Sequence, residues 1–190
     1  MIARLIAQFQ RFAADQRAVA VVEFALIIPV LLVLYLGSIE ASSLITVDRR
    51  VNVISGTVGD LVARWDPEDG ANPIPSATLD DYFNASESII FPYSTTGLTQ
   101  VVTVIEVAAN GTTKVLWSCG YNGGTKRATN SSYTLPTNVN QLARDGWVVA
   151  SETSYPYEPL LGIVLTETYN LNRASYYLPR FEEEIEGPTC

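Results

Sequence analysis

Histidine is absent from all 190 residues. That removes the side chain most often used as a general base near neutral pH and as a metal ligand. Cysteine is almost as scarce, with Cys119 and Cys190 alone, so a tetrahedral zinc site of the usual Cys and His ligands cannot be assembled. Two cysteines so far apart are compatible with one disulfide in an oxidising compartment or with two unrelated thiols. Positive charge is also short. Twelve Lys and Arg stand against 20 Asp and Glu, for a formal net charge of −8, and only Arg49-Arg50 and Lys126-Arg127 are adjacent. This pattern argues against nucleic acid as a partner, because phosphate binding needs clustered cations.

The same shortages bear on catalysis. Without histidine an enzyme would need paired carboxylates or a Ser–Lys pair. Ser118 and Lys114 lack a helical Ser-x-x-Lys context, and Glu182-Glu183-Glu184 reads as a solvated tail. Asp66, Glu68 and Asp69 lack the spacing of a calcium loop and read as a solvated acidic turn. No enzyme, catalytic residue, metal or cofactor is expected.

One long apolar run dominates what is present. Residues 19–37 hold a single carboxylate, Glu23, and a single proline, Pro29. As a helix rising about 1.5 Å per residue they span roughly 28 Å, close to the ~30 Å hydrocarbon core of a bilayer. A carboxylate at the centre of such a helix costs on the order of 2.5 kcal/mol or more, so Glu23 calls either for a partner or for snorkelling to the near interface. Pro29 is tolerated in membrane helices. Arg4, Arg11 and Arg17 against Asp15 alone keep the leading end cytoplasmic by the positive-inside rule and send the rest outward. A cleaved secretory signal is the rival reading. Ala41-Ser42-Ser43, lying beyond Glu40, is a poor site for it. In residues 1–12, Leu5, Ile6, Phe9 and Phe12 fall near helical spacing with Arg4, Gln8 and Arg11 between them, which reads as a short interfacial helix or a signal n-region.

Beyond the run, Val47, Val51, Ile54, Val58, Leu61 and Trp65 step by four, three, four, three and four. This is one stripe on a continuing amphipathic helix, which Asp66-Pro67 should end. Residues 67–76 form a proline-rich linker, and 78–84 a short helix capped by Ser76 or Thr78. Residues 100–109 and 112–119 flank Asn110-Gly111 and predict a hairpin with a two-residue turn. Alternation puts Val115, Trp117 and Cys119 on one face, with Lys114, Leu116 and Ser118 on the other. Residues 120–138 read as an exposed loop, 138–144 as a helical turn, 146–155 and 173–181 as further strands, and 155–161 as a loop. The chain thus divides into a cytoplasmic leader 1–18, a transmembrane helix 19–37, its amphipathic extension 38–66 and an exported domain 67–190. The fold class is α+β, a long N-terminal helix packed on a small antiparallel sheet.

The run Arg17-Ala18-Val19-Ala20-Val21-Val22-Glu23-Phe24-Ala25-Leu26-Ile27-Ile28-Pro29 with the leucines after it resembles the N-terminal signature of TadE-like proteins. These are minor pseudopilins of the bacterial tight-adherence (Flp, type IVb) pilus system. More weakly, Tyr155-Pro156-Tyr157, Leu178-Pro179-Arg180 and the Thr189-Cys190 terminus look like this family. The resemblance implies a pilin-like architecture and cleavage by a prepilin peptidase between Ala18 and Val19, with Ala18 standing where glycine is usual. It also implies Glu23 as fifth residue of the mature chain, and subunit contacts through Glu23, Phe24 and Pro29. The implied partners are the inner membrane, the peptidase and other pilins or minor pseudopilins, with the C-terminal domain periplasmic. The alternative is a membrane-anchored exported binding or adhesion module that is not built into a pilus.

Overall fold

The structure, a computed structural model, describes residues 16–66, 72–181 and 183–190. The interfacial helix expected over 1–12, most of the leader, the positions Pro67, Glu68 and Asp69, and Glu182 lie outside the described residues. Helix α1 (Gln16–Ala63) is followed by α2 (Ser76–Ile90), β1 (Thr99–Val107), β2 (Thr113–Tyr121), α3 (Thr137–Leu142), β3 (Gly146–Tyr157) and β4 (Tyr169–Tyr177). Two compact units divide the chain. One runs to Leu44 and takes in Pro159–Glu167; the other comprises Ile45–Glu158 and Thr168–Cys190.

In the larger unit the four strands form one sheet of order β2-β1-β3-β4, antiparallel throughout. The expected α1 stripe is buried where it meets this sheet: Val47, Val51, Ile54 and Val58 are completely inaccessible. Each such burial contributes about 1.5–3 kcal/mol. One step of the stripe differs from expectation, while its last member, Trp65, packs partly buried against the core. Val62, not Leu61, is buried, because a step of four from Val58 stays on the inner face whereas Leu61 turns aside. Val58, Val62 and Ala63 pack with Leu79 and Phe83 of α2, with Val102, Val104, Trp117, Cys119 and Val149 of the sheet, and with Ile185. Gly59 permits the close approach, since a Cβ there would come within 2.9 Å of the Tyr177 ring and 3.0 Å of Ser151. Polar clamps fix the same stretch. Ser55 Oγ donates to the Ser151 carbonyl at 2.8 Å, Arg173 pairs with Asp48 at 2.5 Å, and Arg50 donates to the carbonyls of Ile89 and Phe91. The helix stops at Ala63, three residues before Asp66, and the Arg180 N–H caps the Ala63 carbonyl at 2.9 Å.

The hairpin forms as expected, but its turn is longer. The Ala108 N–H donates to the Thr112 carbonyl and that of Gly111 to Ala108, leaving three residues in the loop. Gly111 sits at φ +86°, while Asn110 keeps a negative φ. This is a type I turn closed by a left-handed glycine rather than the mirror-image two-residue turn. The face assignment of β2 also changes. Val104 pairs with Trp117 but Ile105 with Val115, so Leu116 is an extra, bulged residue. A bulge breaks the two-residue period. Trp117 and Cys119 therefore face α1 and α2, while Val115 joins Ile105, Val107, Val148 and Ala150 on the opposite face.

That opposite face is covered by Tyr133, Leu135 and Ala143, so the 120–138 segment is not simply an exposed loop. Val115 exchanges backbone hydrogen bonds with Asn130 and Ser131, which docks the segment on the sheet. Helix α2 extends well past the expected 78–84. Pro75 is its N-cap, and no side chain, Ser76 or Thr78 included, caps it. Strand β3 runs through Pro156 to Tyr157 because β1 ends opposite Ser154, leaving that flank of Pro156 without a strand that needs its missing N–H. Strand β4 starts four residues earlier than expected, at Tyr169, because it pairs with this extended β3.

Cys119 and Cys190 are joined by a disulfide, with Cα atoms 5.5 Å apart. The tail leading to Cys190 is only partly solvated. Glu183 and Glu184 are exposed, but Ile185 is buried and its carbonyl accepts a 2.7 Å hydrogen bond from Trp117 Nε1. A Cβ on Gly187 would collide with the Trp117 ring at 2.1 Å, so only glycine lets the tail lie there.

Candidate functional site

The first part of α1 has the opposite character to its buried continuation. Every residue from 19 to 35 is exposed, apolar side chains included, and the helix is long and apolar enough to cross a membrane. A helix that is apolar on all sides needs an apolar environment to cover it. α1 passes through Pro29 without a break; that residue has no N–H to give to the helical ladder.

The expected contact residues all lie on this surface, but not on one side of it. At 3.6 residues per turn, Phe24 is roughly 100° and Pro29 roughly 240° around the axis from Glu23. A single flat neighbour cannot touch all three. Val19 and Glu23 do share a side, being four residues apart on consecutive turns. The Ala18–Val19 peptide bond lies within α1.

Glu40 had no role in the sequence reading, yet it is the most elaborately held residue of this unit. It lies one turn past Gly37 and is only 2% exposed. The Ile163 N–H donates to Oε1 at 2.9 Å, and those of Val164 and Leu165 donate to Oε2 at 3.0 and 2.7 Å. Successive N–H groups wrapped round an anion form a concave nest. Gly162, in the left-handed region at φ +62°, makes the reversal that aims them. A Cβ on Gly37 would stand 3.4 Å from Val164, so loop and helix are in contact there. Hydrogen bonds from Leu165 and Ile163 hold the Glu40 carboxyl below the usual carboxylate range, against the opposing effect of burial. The sequence signal for this clasp was faint: one carboxylate just past an apolar run, and a distant uncharged stretch centred on a glycine.

A depressed pKa gives the clasp a definite pH dependence. Its contribution is complete above the ordinary glutamate value of about 4.3 and is lost as pH falls from there through the lowered folded value. Glu40→Gln, which keeps the shape and removes the charge, is expected to speed amide exchange at Ile163, Val164 and Leu165 several-fold at pH 7. Hydrogen–deuterium exchange on both chains, repeated at acid pH, checks this. Equal protection in the two chains would remove the carboxylate from the account.

The larger unit offers less for chemistry. Among the described residues no group of three His, Cys, Asp or Glu comes together to hold a metal. Its open concavity beside β1 and β3 contains Arg127 and Glu152, which satisfy one another at 2.9 and 3.0 Å.

Residues 18–53 match the family of TadE-like proteins. No curated protein and no solved structure matches the chain. All of the TadE-like residues lie in α1: the exposed apolar segment with Glu23 and Pro29, the clasped Glu40, and the first buried positions Val47 and Val51. The match ends before the sheet begins. A TadE-like segment suggests a component associated with a Tad pilus, and the apolar helix that carries it suggests membrane anchoring.

Proposed function

We propose that this chain is a minor pseudopilin of a tight-adherence pilus, held in the inner membrane by residues 19–37 and using α1 for contacts with other subunits. The observation that carries the reading is the TadE-like match over a helix whose apolar residues from 19 to 35 are left exposed among the described residues. Arg4, Arg11 and Arg17 support a cytoplasmic N-terminus. The disulfide supports an oxidising compartment, here the periplasm, for the sheet unit. A prepilin peptidase cuts between Ala18 and Val19 in this reading. The Val19 α-amino group so created is mostly protonated at pH 7. Set against Glu23 of a neighbouring subunit, it would offset the desolvation of both charges and fix the axial register between the two helices.

The test is the mature N-terminus of the full-length chain extracted from membranes, with and without the peptidase. A start at Val19 that depends on the peptidase is the expected result. A chain still beginning at Met1 in both strains overturns processing and leaves a plain membrane-anchored exported module.

A further inference from the structure

The connection between β3 and β4 is longer than a hairpin needs, and its composition is unusual for a loop. Residues 159–166, Pro-Leu-Leu-Gly-Ile-Val-Leu-Thr, carry no charge. Their apolar side chains are not folded inward. Leu160 is 88% exposed and Ile163 53%, with Leu161 and Val164 only about half covered. Loops that run over a protein surface in water are ordinarily polar at such positions. This one is also not free to swing, because Glu40 grips three consecutive N–H groups and Val164 rests against Gly37.

The level at which it is gripped is informative. Glu40 follows the end of the apolar segment by three residues, about 4.5 Å along the axis. The polar and interfacial zones of a bilayer add roughly 5–8 Å beyond each side of the hydrocarbon core. Resting on the reading of residues 19–37 as a membrane span, we propose that the 159–166 loop is a second membrane contact, whose Leu160, Leu161 and Ile163 enter the lipid interface at the C-terminal end of that span. Lipid is the occupant because the exposed apolar side chains of the loop lie beside the apolar end of α1: a Cβ on Gly37 would stand 3.4 Å from Val164, and the Glu40 carboxylate is turned inward onto the loop backbone. The clasp serves both partners. Backbone N–H groups entering a water-poor layer need an acceptor, and a carboxylate entering it needs donors. Glu40 and the 163–165 backbone each supply what the other lacks.

The test uses the full-length chain in phosphatidylethanolamine–phosphatidylglycerol vesicles, with the photocrosslinker p-benzoylphenylalanine in place of Leu160 or, as an in-span reference, Leu34. Phospholipid adducts at both positions, read by intact mass, are the expected result. An adduct at Leu34 with none at Leu160 overturns the loop contact and leaves the anchor standing. No adduct at either position overturns the anchor reading and the loop contact together. A Leu160 crosslink to a second copy of the chain in place of lipid also overturns the proposal, since the loop would then be a protein interface. With Glu40→Ala added, the yield at Leu160 should fall several-fold while that at Leu34 holds. An unchanged Leu160 yield overturns the part assigned to the clasp.

Discussion

On the proposed pseudopilin reading, Glu23→Ala is expected to leave the chain in the membrane and to abolish its crosslinking to other pilin subunits. The two effects have opposite signs because they draw on different terms. Removing a carboxylate from an apolar helix relieves an insertion penalty of up to about 2.5–3.5 kcal/mol at mid-span, and less this near the end. Removing one partner of a desolvated ion pair costs about 3–5 kcal/mol, because it strands the other charge. At 1.4 kcal/mol per tenfold, the lost contact corresponds to an affinity drop of roughly a hundredfold or more. Site-specific crosslinking along α1, with membrane fractionation on the same samples, separates the outcomes. Phe24→Ala and Pro29→Ala remove no charge and point in other directions around the helix, so each should weaken association by less. Association of Glu23→Ala at the wild-type level would mean that Glu23 lies at the interface with water and pairs with nothing.

Such an asymmetry between neighbouring residues is the kind of property a sequence displays well when it depends only on local spacing. The apolar segment was legible because its composition alone determines that a helix there is apolar on every side. The burial of Val47, Val51, Ile54 and Val58 followed from helical period. The errors begin where geometry depends on a partner. Leu116 bulges because of its pairing with β1, and that one extra residue sends Val115 to the far face although alternation within β2 predicts otherwise. The polar composition of residues 120–138 concealed Tyr133 and Leu135, whose burial is decided by a sheet face they do not belong to. Glu40 is the extreme case. Its partners lie more than 120 residues away in the chain, and the interaction uses their backbone, which leaves no mark on side-chain identity.

Loss of the disulfide should have the largest effect on the sheet unit. The cysteines are 71 residues apart in sequence, and closing a loop of that size restricts the unfolded chain by about 4 kcal/mol in the chain-entropy account. The bridge also holds residues 183–190 against the sheet. Ile185 is buried, Trp117 Nε1 donates to its carbonyl, and Gly187 lies against the Trp117 ring. Domains of this kind have about 5–15 kcal/mol of stability in all, so the bridge is a large fraction of it. A Cys119→Ser, Cys190→Ser chain in detergent is expected to melt about 8–16 °C lower, at 2–4 °C per kcal/mol for a chain of this size. Amide exchange at Ile185 and Glu186 should rise ahead of exchange in β1, because the tail detaches before the sheet opens. A melting point within about 2 °C of the wild type, well below the shift that scaling gives, would show that tail packing alone carries the stability. The order of events also constrains biogenesis. If the bridge contributes this much, the sheet unit is least stable while its thiols are reduced and reaches full stability only where they oxidise, so on the proposed periplasmic placement export precedes the final docking of the tail on Trp117.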